Sequence, residues 1–387
     1  MAAMAAAPTT RPSKARGRIL DAAESQLLTL GPDKLTVATL VKEASVAPGT
    51  LYAYFGSVDD VLAELWCDRG SAWVAAVLAE PATANPTWTR IAALVAYGRR
   101  NPLVGEVVAD SFRGLFEVAR QAPGRDASRL GWIFAGVLGQ GLAQKASSDS
   151  SIVEMLLSVL AHIPADAEEV LALAPLAPVD TTPTPSPQHK SEDETFSSIV
   201  NAGLRVIASS GVVKASLKRA CRLAGVTTGA AASRFPSAQA LLDTCFEFAT
   251  TDVVTGNTTN TDLQRHPADV MAALTTAVLD SSRDQWRNFR QEMYLASLYD
   301  QEIADMVQSV NAEANEKVIE AALAAGVDPA LQQAAAVVSQ IFALGFAALH
   351  ALGVDVRAMN HRVALHYLYR VATGTYMTNT ADVKENA

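Results

Sequence analysis

Thr50, Tyr52 and Tyr54 cluster just after Pro48, and their hydroxyls can exchange hydrogen bonds with the oxygens of a polyanion. Leu51 and Phe55 are four apart, so on a helix begun by Pro48 both face inward and the three hydroxyl side chains stay outside. Upstream, Arg11, Lys14, Arg16 and Arg18 form an arm with four positive charges and no negative one. Such an arm suits contact with phosphates or a minor groove. Patterns for catalysis are absent: there is no GxSxG, HExxH, phosphate loop or dinucleotide fingerprint. The six histidines have no metal-ligand spacing; His361 and His366 are five apart, off the i, i+4 register of one helix face. No enzyme activity, cofactor or metal is expected.

The elements that must position these groups are short helices. Apolar Ile19, Ala22, Ala23, Leu27 and Leu30 define the inner face of a first helix from Ser13 to Leu30, and Gly31 offers a left-handed stop. Thr36 can cap a second helix that runs through Ala44. Ser45-Val46-Ala47 then makes a tight turn into the helix of Pro48, Gly49 and Thr50. Ser57, with Asp59 and Asp60 behind it, starts a fourth helix.

This arrangement occurs twice. Ile19–Trp66 lies over Ile199–Phe246 at a constant offset of 180 without a gap, with ten identities in 48 positions, among them Gly31/Gly211, Val46/Val226, Gly49/Gly229 and Phe55/Phe235. The run ILDAAESQLL…G…LTVATLVKEASVAPGTLYAYFGSVDDVL resembles the helix-turn-helix head of the tetracycline-repressor (TetR) family of bacterial transcription regulators. The resemblance implies that Thr36 touches a phosphate, that Ala47, Pro48, Gly49 and Thr50 present the recognition helix to base edges, and that Tyr52 and Tyr54 bond the DNA backbone. Val58 stands where the family often carries a phosphate-binding lysine, so one anchor is missing.

In the second copy Ser216 replaces Thr36, the turn becomes Gly225-Val226-Thr227, Ala232 replaces Tyr52 and Arg234 replaces Tyr54. From Thr195 to Phe246 six basic residues, Lys218 and Arg234 among them, face one acid, Asp243, although Glu192, Asp193 and Glu194 precede them. Two readings stay open. The copy is a structural remnant, or it reads a second half-site through Ser216, Lys218, Thr227, Thr228, Gly229, Ser233 and Arg234. The surplus of basic charge favours the second.

The chain of 387 residues is half hydrophobic, and its apolar spacing is helical almost throughout. Its net charge of −9 opposes a general nucleic-acid coat but allows a basic head on an acidic body. Three cysteines without motif spacing read as free thiols of a cytosolic protein. No signal peptide is evident, and the longest apolar segment, near Gly131–Ala143, is too short for a membrane span. The expected fold is all-α: two tandem TetR-like units, each a trihelical head followed by a helical body. The expected divisions are a tail (1–10), first head (11–66), shortened first body (67–173), Pro-rich linker (174–195), second head (196–246), second body (247–378) and tail (379–387). The linker's five prolines suggest an extended strand of reach sufficient to return to the DNA side.

By resemblance, the bodies bind a small ligand and dimerise through their last two helices, 126–145 with 151–172 and 329–352 with 355–373. An Ile-Phe-Ala triplet at Ile133 and Ile341, offset by 208, suggests that the second body is about 28 residues longer. Trp286, Phe289, Tyr294, Tyr299, Phe342, Phe346 and His350 are the expected lining of its pocket. The function implied is a cytoplasmic, ligand-responsive repressor, an intrachain pseudo-dimer that reads an asymmetric double-stranded DNA operator and answers to a small apolar or amphipathic effector. The alternatives are a homodimer using only its first heads, or a small-molecule-binding or interaction protein that has lost DNA binding.

Overall fold

The computed structural model describes residues 14–83, 85–121, 127–147, 150–163, 181–263, 265–324 and 326–373. Helices dominate them; the only β-pairing among the described residues is an isolated bridge between Thr181 and Thr261. The tails, Arg11 and the first part of the linker lie outside them, as does the expected helix beyond 163.

The first head comprises α1 (Lys14–Thr29), α2 (Val37–Ala44) and α3 (Pro48–Tyr52), followed by the long α4 (Val58–Ala79). The first body continues with α5 (Pro86–Gly98), α6 (Pro102–Gln121), α7 (Ala127–Ala143) and α8 (Ser151–Ala161). Then come α9 (Glu194–Ser210), α10 (Leu217–Ala224), α11 (Thr228–Ala232) and α12 (Ala238–Thr259). Helices α2, α3 and α4 and helices α10, α11 and α12 begin and end at positions 180 apart. The intervening turns repeat too: Gly31 and Gly211 have φ of 79° and 80°, and Ser45 and Gly225 both take the left-handed conformation, at φ 51° and 71°. Serine is strained there and glycine is not.

The second body holds α13 (Pro267–Ala277), α14 (Asp284–Ser297), α15 (Gln301–Ala324), α16 (Pro329–Val337), a π-turn (Val338–Phe342), α17 (Ala343–Ala351) and α18 (His361–Ala372). The first body passes from α4 to α5 through a short loop. The second inserts α13 at that point, which accounts for much of its extra length.

The two bodies pack through α7 and α17, the most extensive helix pair among the described residues. Small residues make the crossing possible: a Cβ added at Gly139 would overlap the Ile341 carbonyl, and one at Gly345 would overlap the Ala135 carbonyl. These reciprocal contacts equate Gly139 with Gly345 and Ala135 with Ile341, an offset of 206 (345 − 139 and 341 − 135). The Ile-Phe-Ala triplets, offset by 208, are therefore not the structurally matched residues. Around the crossing, the Trp132 ring is wedged among Phe346 (4.9 Å between centroids), Phe342 (5.3 Å) and His361 (5.9 Å). One stretch, Leu331–Ala351, is long and apolar enough to cross a membrane. Most of it is buried here, and among the described residues it is a longer apolar segment than Gly131–Ala143.

The heads are gripped across the molecule. Tyr299, in the α14–α15 loop, lays its ring on Gly31 of the first head and donates its hydroxyl to the Leu27 carbonyl at 2.8 Å. Arg100, in the α5–α6 loop, lies against Gly211 of the second head. Arg100 also pairs with Asp33 of the first head and with Glu292 of α14, which Arg99 joins. Glu292 is 1% exposed. Burial pushes its carboxyl up, against the pull of the two arginines.

The described part of the linker is not free. The Ser186 hydroxyl and backbone amide both donate to the Ser282 carbonyl, Arg283 donates to the Thr184 carbonyl, and His189 packs on Phe196 and Phe248. Residues 181–193 thus strap the second head to its own body, correcting the expectation of an extended spacer over that stretch. Buried Thr184 and Pro187 supply the anchors.

Candidate nucleic-acid interface and ligand cavity

The first head presents its hydroxyl groups as its spacing requires. Leu51 is fully buried and Phe55 nearly so, while Tyr52 and Tyr54 are 58% and 44% exposed. Thr36 caps α2 with a reciprocal box: its hydroxyl accepts from the Thr39 amide, and the Thr39 hydroxyl accepts from the Thr36 amide, each at 3.1 Å. Thr36 nonetheless stays exposed at the helix start, where amides and the positive end of the helix dipole favour a phosphate. Ala47, Pro48 and Gly49 are exposed at the start of α3, and Thr50 is half-buried. No side chain caps α3; Pro48 starts it by fixing φ where no N–H is needed.

Two arginines of the basic arm are committed within the fold. Arg16 pairs with Glu64 and lies 3.5 Å from Asp68 on α4, and Arg18 donates to the Ser45 carbonyl at 3.3 Å. Arg16 thus ties α1 to α4, and Arg18 supports the strained turn before the recognition helix. Their α4 and turn partners were not legible in the spacing of the arm.

In the second head Ser216, Lys218, Thr227, Thr228, Gly229 and Ser233 are likewise exposed. Several are occupied locally. Ser216 accepts from the Arg219 amide at 3.3 Å, and Thr227 caps α11 by accepting from the Ala230 amide at 3.2 Å. A threonine cap therefore does for α11 what proline does for α3. The Ser233 hydroxyl donates to the Ala230 carbonyl. Arg234, expected to meet a phosphate, is turned toward its own head: Nε pairs with Asp193 at 2.7 Å and Nη1 donates to the Ala230 carbonyl at 2.9 Å. Arg234 and a backbone amide hold the Asp193 carboxyl below the usual carboxylate range. Asp193, one of the three acidic residues before this head, thus pairs with the arginine expected to meet a phosphate.

The second body contains a cavity of about 140 Å³ between α12, α13, α14, α15 and the π-turn. Of the seven aromatic or polar residues expected to line it, only Trp286 does. Phe289, Tyr294, Phe342 and Phe346 are almost fully buried core residues. Tyr299 belongs to the seam between the heads, and His350 is half-buried outside the lining. The apolar wall comes instead from aliphatic groups such as Val253, Val270, Met271, Leu274 and Val318, with Arg283, Arg290, Asn257 and Asn311 as polar tips. Helical periodicity marks which residues face inward but does not separate a cavity wall from a packed core. In the first body Trp88, Phe112, Phe116, Trp132 and Phe134 are all buried core.

A third cluster joins residues distant in sequence: His266, Asp269 and His366 bring their ligating atoms within 4.8 Å. The carboxylate is already engaged, accepting from Arg362 at 2.7 Å and facing His366 Nε2 at 2.9 Å. The His266 and His366 rings stack, 4.4 Å between centroids. With an arginine beside the carboxylate the cluster serves as a polar clasp between α13 and α18 rather than a cation site.

A capped helix, a tight left-handed turn and a second short helix with exposed hydroxyls define a helix-turn-helix DNA-binding module. Residues 19–65 match the family described as bacterial regulatory proteins, tetR family, and this domain marks the chain as a DNA-binding transcriptional regulator of the helix-turn-helix type. The match covers the first head alone. No curated protein matches the chain.

Proposed function

We propose that the chain is a ligand-responsive transcriptional regulator, a repressor acting in the cytoplasm, whose two halves form an intrachain pseudo-dimer and present two unlike heads to an asymmetric operator. The observation that carries this reading is the reciprocal grip on the heads. Tyr299 sits on Gly31 and Arg100 on Gly211, from loops that open α15 and α6 respectively. These helices start 199 residues apart (301 − 102), as do Arg100 and Tyr299 themselves. Such cross-docking is what a two-fold arrangement of homologous halves would produce. It would set the recognition helices one helical turn of DNA apart, roughly 34–36 Å.

Helix α14 supplies the coupling. Trp286 and Arg290 line the cavity, Glu292 binds Arg99 and also Arg100, which reaches Asp33, and Tyr299 just beyond the helix holds Leu27. The same helix packs along α9 of the second head. A ligand that favours a shifted α14 would therefore move both heads at once, and DNA affinity would change only by the ligand's differential affinity for the two arrangements.

A second reading, a homodimer that uses only its first heads, draws on the Asp193–Arg234 pair and on the family match ending at residue 65. Sedimentation of the chain with footprinted upstream DNA separates the two. One chain on a non-palindromic site supports the fused pseudo-dimer. Two chains on a perfect palindrome would reject it, and absence of salt-sensitive binding would reject DNA recognition altogether.

A further inference from the structure

The cavity carries charge of one sign. Its described lining contains two arginines, Arg283 and Arg290, and no aspartate, glutamate, lysine or histidine. Arg283 is 1% exposed. Its Nε donates to the Thr184 carbonyl and its Nη2 to Asn257 Oδ1, both at 2.6 Å and both to neutral acceptors. Its Nη1 has no hydrogen-bond partner among the described residues. Arg290 donates only Nη2, to the Gln340 carbonyl at 2.8 Å, and rests over the Tyr294 ring. Neither guanidinium forms an ion pair among the described residues, although the other buried arginines of this region do: Arg99 and Arg100 with Glu292, and Arg287 with Asp284. Burial pushes the Arg283 guanidinium down to about 10, with the Arg287 cation adding to the effect and Asp280 opposing it. A positive charge kept in that setting without a counter-ion is a standing electrostatic cost that a bound anion would relieve.

A second observation lies on the same wall. Thr250 is 6% exposed, and its Oγ1 is buried with no hydrogen-bond partner among the described residues. It is a spare donor in the lining that also holds the two arginines. The remaining wall is mostly apolar, with Asn257 and Asn311 among its polar groups, and the volume is close to that of a cavity that takes benzene.

We propose that the effector is a small amphipathic carboxylate, with an apolar body about the size of a benzene ring and its anionic end held by Arg290 and Arg283. The proposal rests on the ligand-responsive reading above and specifies its chemistry. Guanidinium and carboxylate match in shape and charge, and an uncharged isostere gains no charge-assisted pair with the two arginines.

Calorimetric titration of the full chain with benzoate and hexanoate, each against its amide, tests this. The acids should bind about tenfold or more tightly than the amides, a preference that weakens with salt. Arg290→Met should cut the preference several-fold, with Arg283 keeping the remainder, and leave amide binding unchanged. Arg290 is chosen because it is only half-buried and carries no structural ion pair, and a thermal scan verifies folding. Amides that bind as well as the acids, or a preference undiminished by Arg290→Met, would overturn the charge assignment while leaving a ligand cavity in place. No binding of either class would overturn the cavity as an effector site, and the ligand-responsive reading with it.

Discussion

Whether the second head reads DNA turns on one side chain, and Asp193→Asn isolates it. Asp193 does two things: Oδ1 accepts from the Phe196 amide at 2.9 Å as the cap of α9, and Oδ2 holds Arg234 Nε at 2.7 Å. Asparagine keeps the cap, because its carbonyl oxygen accepts the same bond, and removes only the charge. The pair is open to solvent, so folding stability should barely change. The effect should appear in DNA binding. One guanidinium released to one phosphate adds about −0.9 to the slope of log K against log salt. Raising salt fourfold, from about 50 to about 200 mM, would then cost the variant roughly 3.5-fold more affinity than the parent. Binding at the lower salt should be correspondingly tighter. Fluorescence anisotropy with the footprinted duplex across that salt range measures both quantities. Arg234→Ala provides the converse, removing any contact the parent makes through this residue. If neither Asp193→Asn nor Arg234→Ala changes the slope, Arg234 does not reach a phosphate and the second head does not read DNA through it.

Three further outcomes follow from the packing. Gly345→Val should force α7 and α17 apart and cost about 3 kcal/mol or more in urea unfolding, because a backbone carbonyl cannot move aside as a side chain can. Gly114→Ala, on the open face of α6, should instead be neutral or stabilise by about 0.5–1 kcal/mol. Equal effects of the two would refute the close crossing. Glu292→Gln strips two buried arginines of their shared carboxylate and should cost roughly 3–5 kcal/mol; a loss below about 1 kcal/mol would mean that the junction is not desolvated. His361 is held neutral against Trp132 and Phe346, with burial pushing it down to about 4 against the opposing bond to the Val356 carbonyl. Its unfolded pKa is near 6.5, so the unfolded chain binds a proton first as pH falls. The site's contribution is therefore intact above about pH 6.5 and lost toward pH 4, on the order of 3 kcal/mol in total. As pH falls over that range the parent should lose thermal stability relative to His361→Leu, and parallel curves would refute the assignment.

Local chemistry was written in the sequence wherever near neighbours decide it. Pro48 with Leu51 and Phe55 determined which side chains of α3 face water, Thr36 and Ser57 determined where helices start, and the ungapped offset of 180 determined matching boundaries in both heads. These features depend on backbone conformation and on residues three or four apart, so periodicity and caps suffice to specify them. Tertiary structure decided what required distant partners. The cavity went to aliphatic residues because aromatic ones at the same spacing found closer packing in the core. The body register moved from 208 to 206 because backbone carbonyls meet only where Gly139 and Gly345 allow it. Arg234, which read as free cationic charge along the chain, was paired because the strap of residues 181–193 folds back and delivers Asp193 to it. A charge count along a sequence records how many cations a segment has. Which of them remain available depends on counter-ions brought from elsewhere by the fold.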